Sequence, residues 1–270
     1  MTKGPTVIRT GAATIALLLS TGPLRAQAIR DNSFLIEEGY NQEPGVVQHI
    51  ATFQRAEGGD WWAFSFTQEW PLFGQRHQLS FTLPVADLAD GTGLGDVGLN
   101  YRHQLVGGEG PVAFAPRLTI LLPTGDEDSG HGTGAVGLQA NLPLSVDLSP
   151  RFTAHVNLGA TLTPQARSPL GDEAAAADLN LGASAIWHAF RKIDFLVEAL
   201  WLSEAEVTGP GRTARDETVV FNPGLRWAHD IGGLQIVPGI GYPIALGDGT
   251  DERSLFLYLS FEHPFRHGDR

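Results

Sequence analysis

Few residues of this 270-residue chain have the types and spacing that chemistry demands. Ser129-Gly130-His131 pairs a hydroxyl with an imidazole at a spacing of two, inside a run of glycines. Nucleophilic catalysis wants that pair on a rigid element, oriented by a third polar group, and no such triad is legible. The nine His residues lack metal-ligand spacing, and the absence of Cys excludes disulfides and thiolate sites. Gly91-Thr-Gly-Leu-Gly95 has the glycine density of a phosphate loop, but such a loop opens a helix. Here an alternating segment follows, as in a hairpin. Asp126, Glu127 and Asp128, and again Asp248, Asp251 and Glu252, gather oxygen donors without the spacing of a calcium loop. They read as solvated loop acids. The sequence thus predicts no catalytic residue, no metal ligand and no cofactor.

The remaining ionisable candidates are Glu69, Arg102, Arg117, His155, Glu198, Arg226 and Glu262. Each falls on the polar side of a segment whose side chains alternate in polarity. In Leu79-Ser80-Phe81-Thr82-Leu83, apolar and polar residues switch at every step. Val97, Leu99 and Tyr101 alternate with Gly98, Asn100 and Arg102. Val156 and Leu158 alternate with His155 and Asn157, and Leu255, Leu257 and Leu259 with Tyr258 and Ser260. A period of two is that of a β-strand with one greasy and one polar face. About twelve such segments, near 46–56, 61–70, 76–85, 94–106, 111–122, 134–148, 151–163, 178–190, 194–206, 217–228, 234–246 and 253–264, have the length of transmembrane strands.

The apolar faces hold almost no charge through their middles. A lipid core offers no partner to a bare N–H or C=O, so strands enter it only as a closed ring. The expectation is an all-β fold: a closed antiparallel transmembrane β-barrel of about twelve strands, occupying residues 46–270. Even-to-odd connections such as Pro71–Gln75 and Arg191–Ile193 read as short periplasmic turns. Odd-to-even ones such as Pro123–Thr133, Pro164–Ala177 and Val207–Asp216 read as longer extracellular loops. Trp70, Tyr101, Phe152, Trp187, Trp227 and Phe265 fall near the turn end, and Trp61, Trp62 and Trp201 near the other. That placement suits two aromatic girdles at the lipid–water interfaces. Pro71, Pro123 and Pro164 are placed at strand ends, whereas Pro116, Pro143, Pro223 and Pro238 fall inside strands and predict bulges or breaks.

Lys3 and Arg9, the apolar run Gly11–Leu19 and Ala26-Gln27-Ala28 compose a cleavable export signal over residues 1–28. Its removal takes away Lys3, Arg9 and Arg25, leaving 18 − 3 = 15 basic against 30 acidic residues, a net charge of −15. That balance argues against a nucleic-acid partner. The expected location is the outer membrane of a Gram-negative bacterium. The expected partners are outer-membrane lipid, a small-molecule solute and, during biogenesis, the barrel-assembly machinery.

Several stretches resemble a known family. Asn32-Ser-Phe-Leu-Ile-Glu-Glu-Gly-Tyr-Asn41 with Gly45-Val-Val-Gln-His-Ile50, Gly93-Leu-Gly-Asp-Val-Gly-Leu-Asn-Tyr-Arg102 and Pro116-Arg-Leu-Thr-Ile-Leu-Leu-Pro-Thr-Gly-Asp126 are similar to the outer-membrane proteins grouped as "MetA-pathway of phenol degradation". The resemblance implies a barrel and the passage of small aromatic compounds, and it brings no catalytic motif.

The functional expectation is a passive channel or facilitator for small molecules, aromatic or hydrophobic ones included, with the seven ionisable residues lining its pore. The alternatives are a lipid-modifying barrel enzyme and a structural barrel with a packed lumen. Finer expectations follow from strand phase. Leu99 and Leu158 should face lipid, whereas Asn100 and Asn157 should face a lumen that tolerates arginine. Glu198 should lie roughly opposite Leu225 and next to Arg226 across a hairpin, close enough for an ion pair. Residues 29–45 do not alternate and mix Phe34, Leu35, Ile36 and Tyr40 with acids. They are read as a periplasmic or lumenal segment; in the lumenal case it folds back and its acids meet Arg102, Arg117 or Arg226.

Overall fold

Only an extended backbone can keep apolar side chains on one face and polar ones on the other through runs such as these, and each run is a strand. The computed structural model describes residues 29, 31–107, 110–247 and 251–264. The leader expected over residues 1–28, and Phe265, lie outside them. The strands are β1 (Val46–Ala56), β2 (Trp62–Leu72), β3 (His77–Leu88), β4 (Gly91–Leu94), β5 (Val97–His103), β6 (Val112–Phe114), β7 (Arg117–Leu122), β8 (Gly137–Asn141), β9 (Leu144–Ser149), β10 (Phe152–Arg167), β11 (Glu173–Phe190), β12 (Ile193–Gly209), β13 (Arg212–Trp227), β14 (His229–Ile231), β15 (Leu234–Gly241), β16 (Ile244–Gly247) and β17 (Asp251–Pro264). Interrupted strands share a stave: β4 with β5, β6 with β7, β8 with β9, β13 with β14, and β15 with β16. The ring then has twelve antiparallel staves, closed by β17 pairing with β1 from Val46↔Pro264 to Ala56↔Ser254.

Proline explains most of the interruptions. Pro116, Pro143 and Pro243 each stand where a stave breaks, because proline has no N–H to give the ladder. Their carbonyls still serve it, accepting from His103 (3.0 Å), Ala115 (3.2 Å) and Ser254 (3.0 Å). Pro223 and Pro238 depart from the expectation, since both stay within continuous strands, opposite Val197 and Leu259. Pro164 also departs. It lies inside β10, where the register with β11 shifts between Thr163 and Ala166.

Strand phase is as read from the sequence. Leu99, Leu118, Ile120, Leu158, Leu181, Phe195, Phe221 and Leu257 are exposed on the outer wall, while Asn100, Thr119, Asn157, Ser184, Glu198, Asn222, Tyr258 and Ser260 are buried inside. At the turn end, outward Phe152 stands opposite Trp187, and Trp187 stacks on Phe195 with centroids 5.7 Å apart. The connections at the other end differ from expectation in kind. β10 to β13 run 16 to 18 residues each, and the stretch read as a loop at 207–216 is two strands joined at Pro210 and Gly211. Toward their outer ends these hairpins keep one face buried through small residues, Ala166, Ala174, Ala176 and Val207 clustering there, and carry charged or small residues on the other, so the contrast in polarity fades while the ladder continues. Residues 123–136 remain a long irregular loop.

The packed core lies inside the ring. Phe34 from the N-terminal segment clusters with inward Ile50, Ile186, Leu196, Phe256 and Tyr258.

Candidate functional site: the lumen and its N-terminal segment

The segment from Asp31 to Gln42 has no strand partner, so its backbone N–H groups must find acceptors elsewhere. Inward side chains of the barrel supply them. One oxygen of Glu198, a fully buried carboxylate, accepts from the N–H groups of Phe34 (2.8 Å), Leu35 (2.8 Å) and Ile36 (3.1 Å). Its other oxygen accepts from Asn222 at 2.6 Å. Asn157 pairs with Glu37 as a strand neighbour would, accepting from its N–H and donating to its C=O, both at 2.8 Å. Ser145 accepts from Gly39, Gln104 from Asn41 and Gln78 from Gln42, each at 2.7 Å.

The apolar side chains of the segment sit where the wall lacks side chains. A Cβ on Gly224 or Gly239 would stand 2.4 or 2.6 Å from the Phe34 ring, and one on Gly182 would stand 2.2 Å from Ile36. Glycine at these positions is what lets the ring reach the wall. On the far side, Phe34 meets Phe256 and Tyr258 with ring centroids 5.5 and 5.3 Å away.

Charge is matched along the same path. Asp31 accepts from Tyr258 (2.5 Å), Gln48 (2.9 Å) and Ser260. Arg226, fully buried, donates to the carbonyls of Ile29, Asp31 and Asn32 and, at 3.1 Å, to Asp194. Glu37 is gripped by two arginines. Arg117 reaches both of its oxygens, at 2.6 and 3.0 Å, and Arg102 reaches one at 2.7 Å. Burial alone would push the Glu37 carboxyl up, but Arg117 and Arg102 outweigh it and hold the group at about 2. Its neighbour Glu38 is pushed well above the usual range by burial and by Asp31.

All seven residues singled out by phase are thereby placed. Arg102 and Arg117 meet at Glu37. Glu69, buried, accepts from Gln78 at 2.7 Å. His155, buried, bonds Ser145 at 2.7 Å. Glu198 and Arg226 hold the segment from neighbouring strands, β12 and β13, and Glu262 stands opposite Gln48. Two expectations are corrected. Glu198 is opposite Asn222, and Arg226 is opposite Asp194, so Arg226 pairs with Asp194. The hairpin turns earlier than expected, at Pro210 and Gly211, which moves the register by three residues. Asn157 does not face an empty lumen that would admit arginine, because it tethers Glu37. Sequence reasoning also passed over Gln78, Gln104, Ser145, Asp194 and Asn222. Their inward phase was readable, but nothing in their types set them apart from other lumenal residues.

Toward the longer hairpins the lumen opens into two cavities of about 370 and about 410 Å³. Leu35, Glu37, Arg117, Leu121 and Gln139 line both. The rest of the wall mixes uncharged hydrogen-bonding side chains, among them Thr52, Thr67, Thr82, Asn141, Thr161 and Asn180, with apolar ones and with the acids Glu69, Asp96, Asp178 and Glu204. Besides Ser145 and His155, two hydroxyl–imidazole pairs have their polar atoms engaged by other groups. Ser129 donates to Asp126 at 2.6 Å, and His131 Nε2 faces the carbonyls of Ala86 and Gly91. Thr153 gives its proton to Asp147, leaving its oxygen to accept from His188, whose other nitrogen bonds Asp194 at 2.8 Å.

No family model matches this chain, and no curated protein matches it in sequence. Solved structures do match in fold. An outer-membrane channel from Pseudomonas putida F1 superposes with a TM-score of 0.60 at 15% identity, over 83% of this chain and 97% of that one. The NanC porin gives 0.55 at 12% identity, over 79% and 98%. The KdgM porin gives 0.52 at 7% identity, over 81% and 99%. At such identities the likeness is one of fold: this chain has the architecture of outer-membrane channels and porins.

Proposed function

We propose that the chain is an outer-membrane channel for small solutes, aromatic or hydrophobic ones included, and that residues 31–42 plug its lumen from the periplasmic side. One observation bears most of the weight: a closed ring with an apolar outer wall encloses cavities walled by hydrogen-bonding side chains, and these end on the segment. A soluble barrel has no use for exposed Leu99, Leu118, Ile120 and Leu158 on its outside, whereas a lipid core does. The "MetA-pathway of phenol degradation" resemblance supports aromatic solutes, and the export signal and outer-membrane residence belong to the same reading.

A packed, non-conducting barrel is the second reading, favoured by the hydrogen bonds that tie the backbone of the segment to the wall at Phe34, Leu35, Ile36, Glu37, Gly39, Asn41 and Gln42. Planar-bilayer recording of the full chain and of a variant lacking residues 31–43 separates the two. The plugged channel requires conductance to rise on deletion, with heat-modifiable migration showing that the ring still closes. A folded deletion variant that stays silent identifies the packed barrel.

A further inference from the structure

We propose that Arg102 and Arg117 form a carboxylate-binding site in the lumen, that Glu37 occupies it as an internal ligand, and that the solutes of this barrel are small organic carboxylates that exchange with Glu37. The inference rests on the channel reading above and names its substrate class.

The grip on Glu37 is shaped for a carboxylate. Arg117 presents Nε and Nη2 to the two oxygens, and Arg102 adds a third bond to the oxygen that Nε already holds. A guanidinium fork meets a planar two-oxygen anion in this way and has no comparable fit to a neutral group. The fork does not depend on Glu37 for its position. Arg117 Nη1 also donates to Asn100 at 2.9 Å and to Thr119, and Nη2 donates to Gln139 at 2.9 Å. The barrel wall therefore holds it aimed into the lumen whether or not the segment is present.

The site is reachable. Glu37 and Arg117 line both cavities, and the Glu37 side chain keeps 24% of its exposure while Arg102 beneath it keeps 3%. Withdrawing Glu37 leaves two cations in a restricted lumen, where Glu69 and Glu38 also face Arg102, and where Asp96, Asp178 and Glu204 line the cavities. Breaking a buried pair by removing one partner is costly unless another anion arrives, and an incoming carboxylate is such an anion. Because Glu37 is tethered, it competes at an effective concentration in the millimolar range or above. A free acid therefore meets a strong rival in the intact protein and a vacant fork once that rival is neutralised.

The test is calorimetric titration of the folded, detergent-solubilised full chain and its Glu37→Gln variant with sodium benzoate, and with benzamide as the uncharged isostere. Glu37→Gln should bind benzoate at least tenfold more tightly than the unaltered chain, benzamide should show no such gain, and adding Arg117→Gln should remove it. Equal gains for benzoate and benzamide, or no gain for either, would overturn the proposal. If Glu37→Gln does not fold, Glu37→Asp, whose shorter carboxylate reaches the fork less well, should show a smaller gain in the same direction, and its absence overturns the proposal equally. Binding is read without current. Benzoate affinity in a barrel that never conducts would sink the channel reading and leave the site; conductance without discrimination between the two probes would do the reverse.

Discussion

The two halves of the lumen are lined by the same kinds of residue and do opposite things. In the half nearer the barrel termini, Glu198, Asn157, Ser145, Gln104 and Gln78 spend their polar atoms on the backbone of the N-terminal segment. In the other half, Thr52 bonds Ser65, Thr67 bonds Thr82 and Gln139 bonds Thr161, each from one stave to the next. Inward polar side chains are thus not in themselves a pore lining. Where a non-strand segment lies within reach they act as its missing sheet partners, and where none does they bond along the wall and leave open space. The glycines sharpen the contrast, since Gly182, Gly224 and Gly239 make room for side chains of the segment and for no solute.

The strongest way to break this contrast is at Glu198. Glu198→Ala leaves three backbone N–H groups, two of them in buried bonds, and the Asn222 amide without their acceptor. Hydrogen bonds to charged groups are worth about 1.5–3 kcal/mol each, so docking of the segment should weaken by at least about 3 kcal/mol. Conductance should rise toward that of the deletion variant, and residues 31–43 should become cleavable by protease. Glu198→Gln keeps an acceptor oxygen and should lie between. An unchanged current in a folded Glu198→Ala barrel would mean that the segment is not what closes the lumen.

Crowding the seat of Phe34 should act next. In Gly239→Ala, the new methyl would stand 2.6 Å from the ring, and overpacking of this kind costs about 1–3 kcal/mol. Partial opening is expected, with the wall intact. Phe34→Ala in the same background removes the clash, so the two changes should be less than additive in a double-mutant cycle. Additivity would place the ring somewhere other than against Gly239.

A shift of pH in either direction from an optimum should loosen the segment. Glu37 sits at about 2 when docked, against 4.5 in an ordinary setting. A lowered value means that its contribution is complete above 4.5 and is lost as pH falls toward 2. Glu38 faces Asp31, Glu69 and Glu262 as well as Arg102, and its value is raised. Its contribution is complete below 4.5 and is lost as pH rises through that raised value. Conductance against pH should therefore pass through a minimum. Glu37→Gln should flatten the acidic limb alone and Glu38→Gln the alkaline limb alone; a monotonic curve in the unaltered protein would contradict this assignment.

The fold was legible because an apolar outer wall around a polar lumen enforces alternation. Leu99 against Asn100 and Leu158 against Asn157 had only one phase that kept charge off the outer wall. That constraint ends at the edge of the apolar belt, which is why the strand residues 173–177, 207–209 and 212–216 were read as loop. Register was less legible still. Glu198 and Arg226 were correctly placed inside, but the turn at Pro210 and Gly211 decides that Asp194, not Glu198, meets Arg226. In the segment, Phe34 and Ile36 announced burial and the acids announced cationic partners. Their seats depend on glycines from β11, β13 and β15, brought together only by closure of the ring.

The smallest expected effect is also the cleanest control, and it sets Thr67 against Asn157. Both are neutral, hydrogen-bonding and inward-facing, and in sequence both are the polar step of an alternating run. Asn157 uses its amide twice on the backbone of Glu37, whereas the Thr67 hydroxyl bonds Thr82 at 3.0 Å on the wall of a lumenal cavity. Asn157→Ala should weaken docking by about 1–3 kcal/mol, the cost of stranding a buried donor and acceptor. Thr67→Ala removes a partner from a hydroxyl that water in an open cavity can replace, so it should stay within about 0.5 kcal/mol. It should leave both the protease resistance of residues 31–43 and the conductance of the full chain unchanged. If Thr67→Ala opens the channel as far as Asn157→Ala does, the two halves of the lumen are coupled through the wall, and the division between a docking half and an open half does not hold.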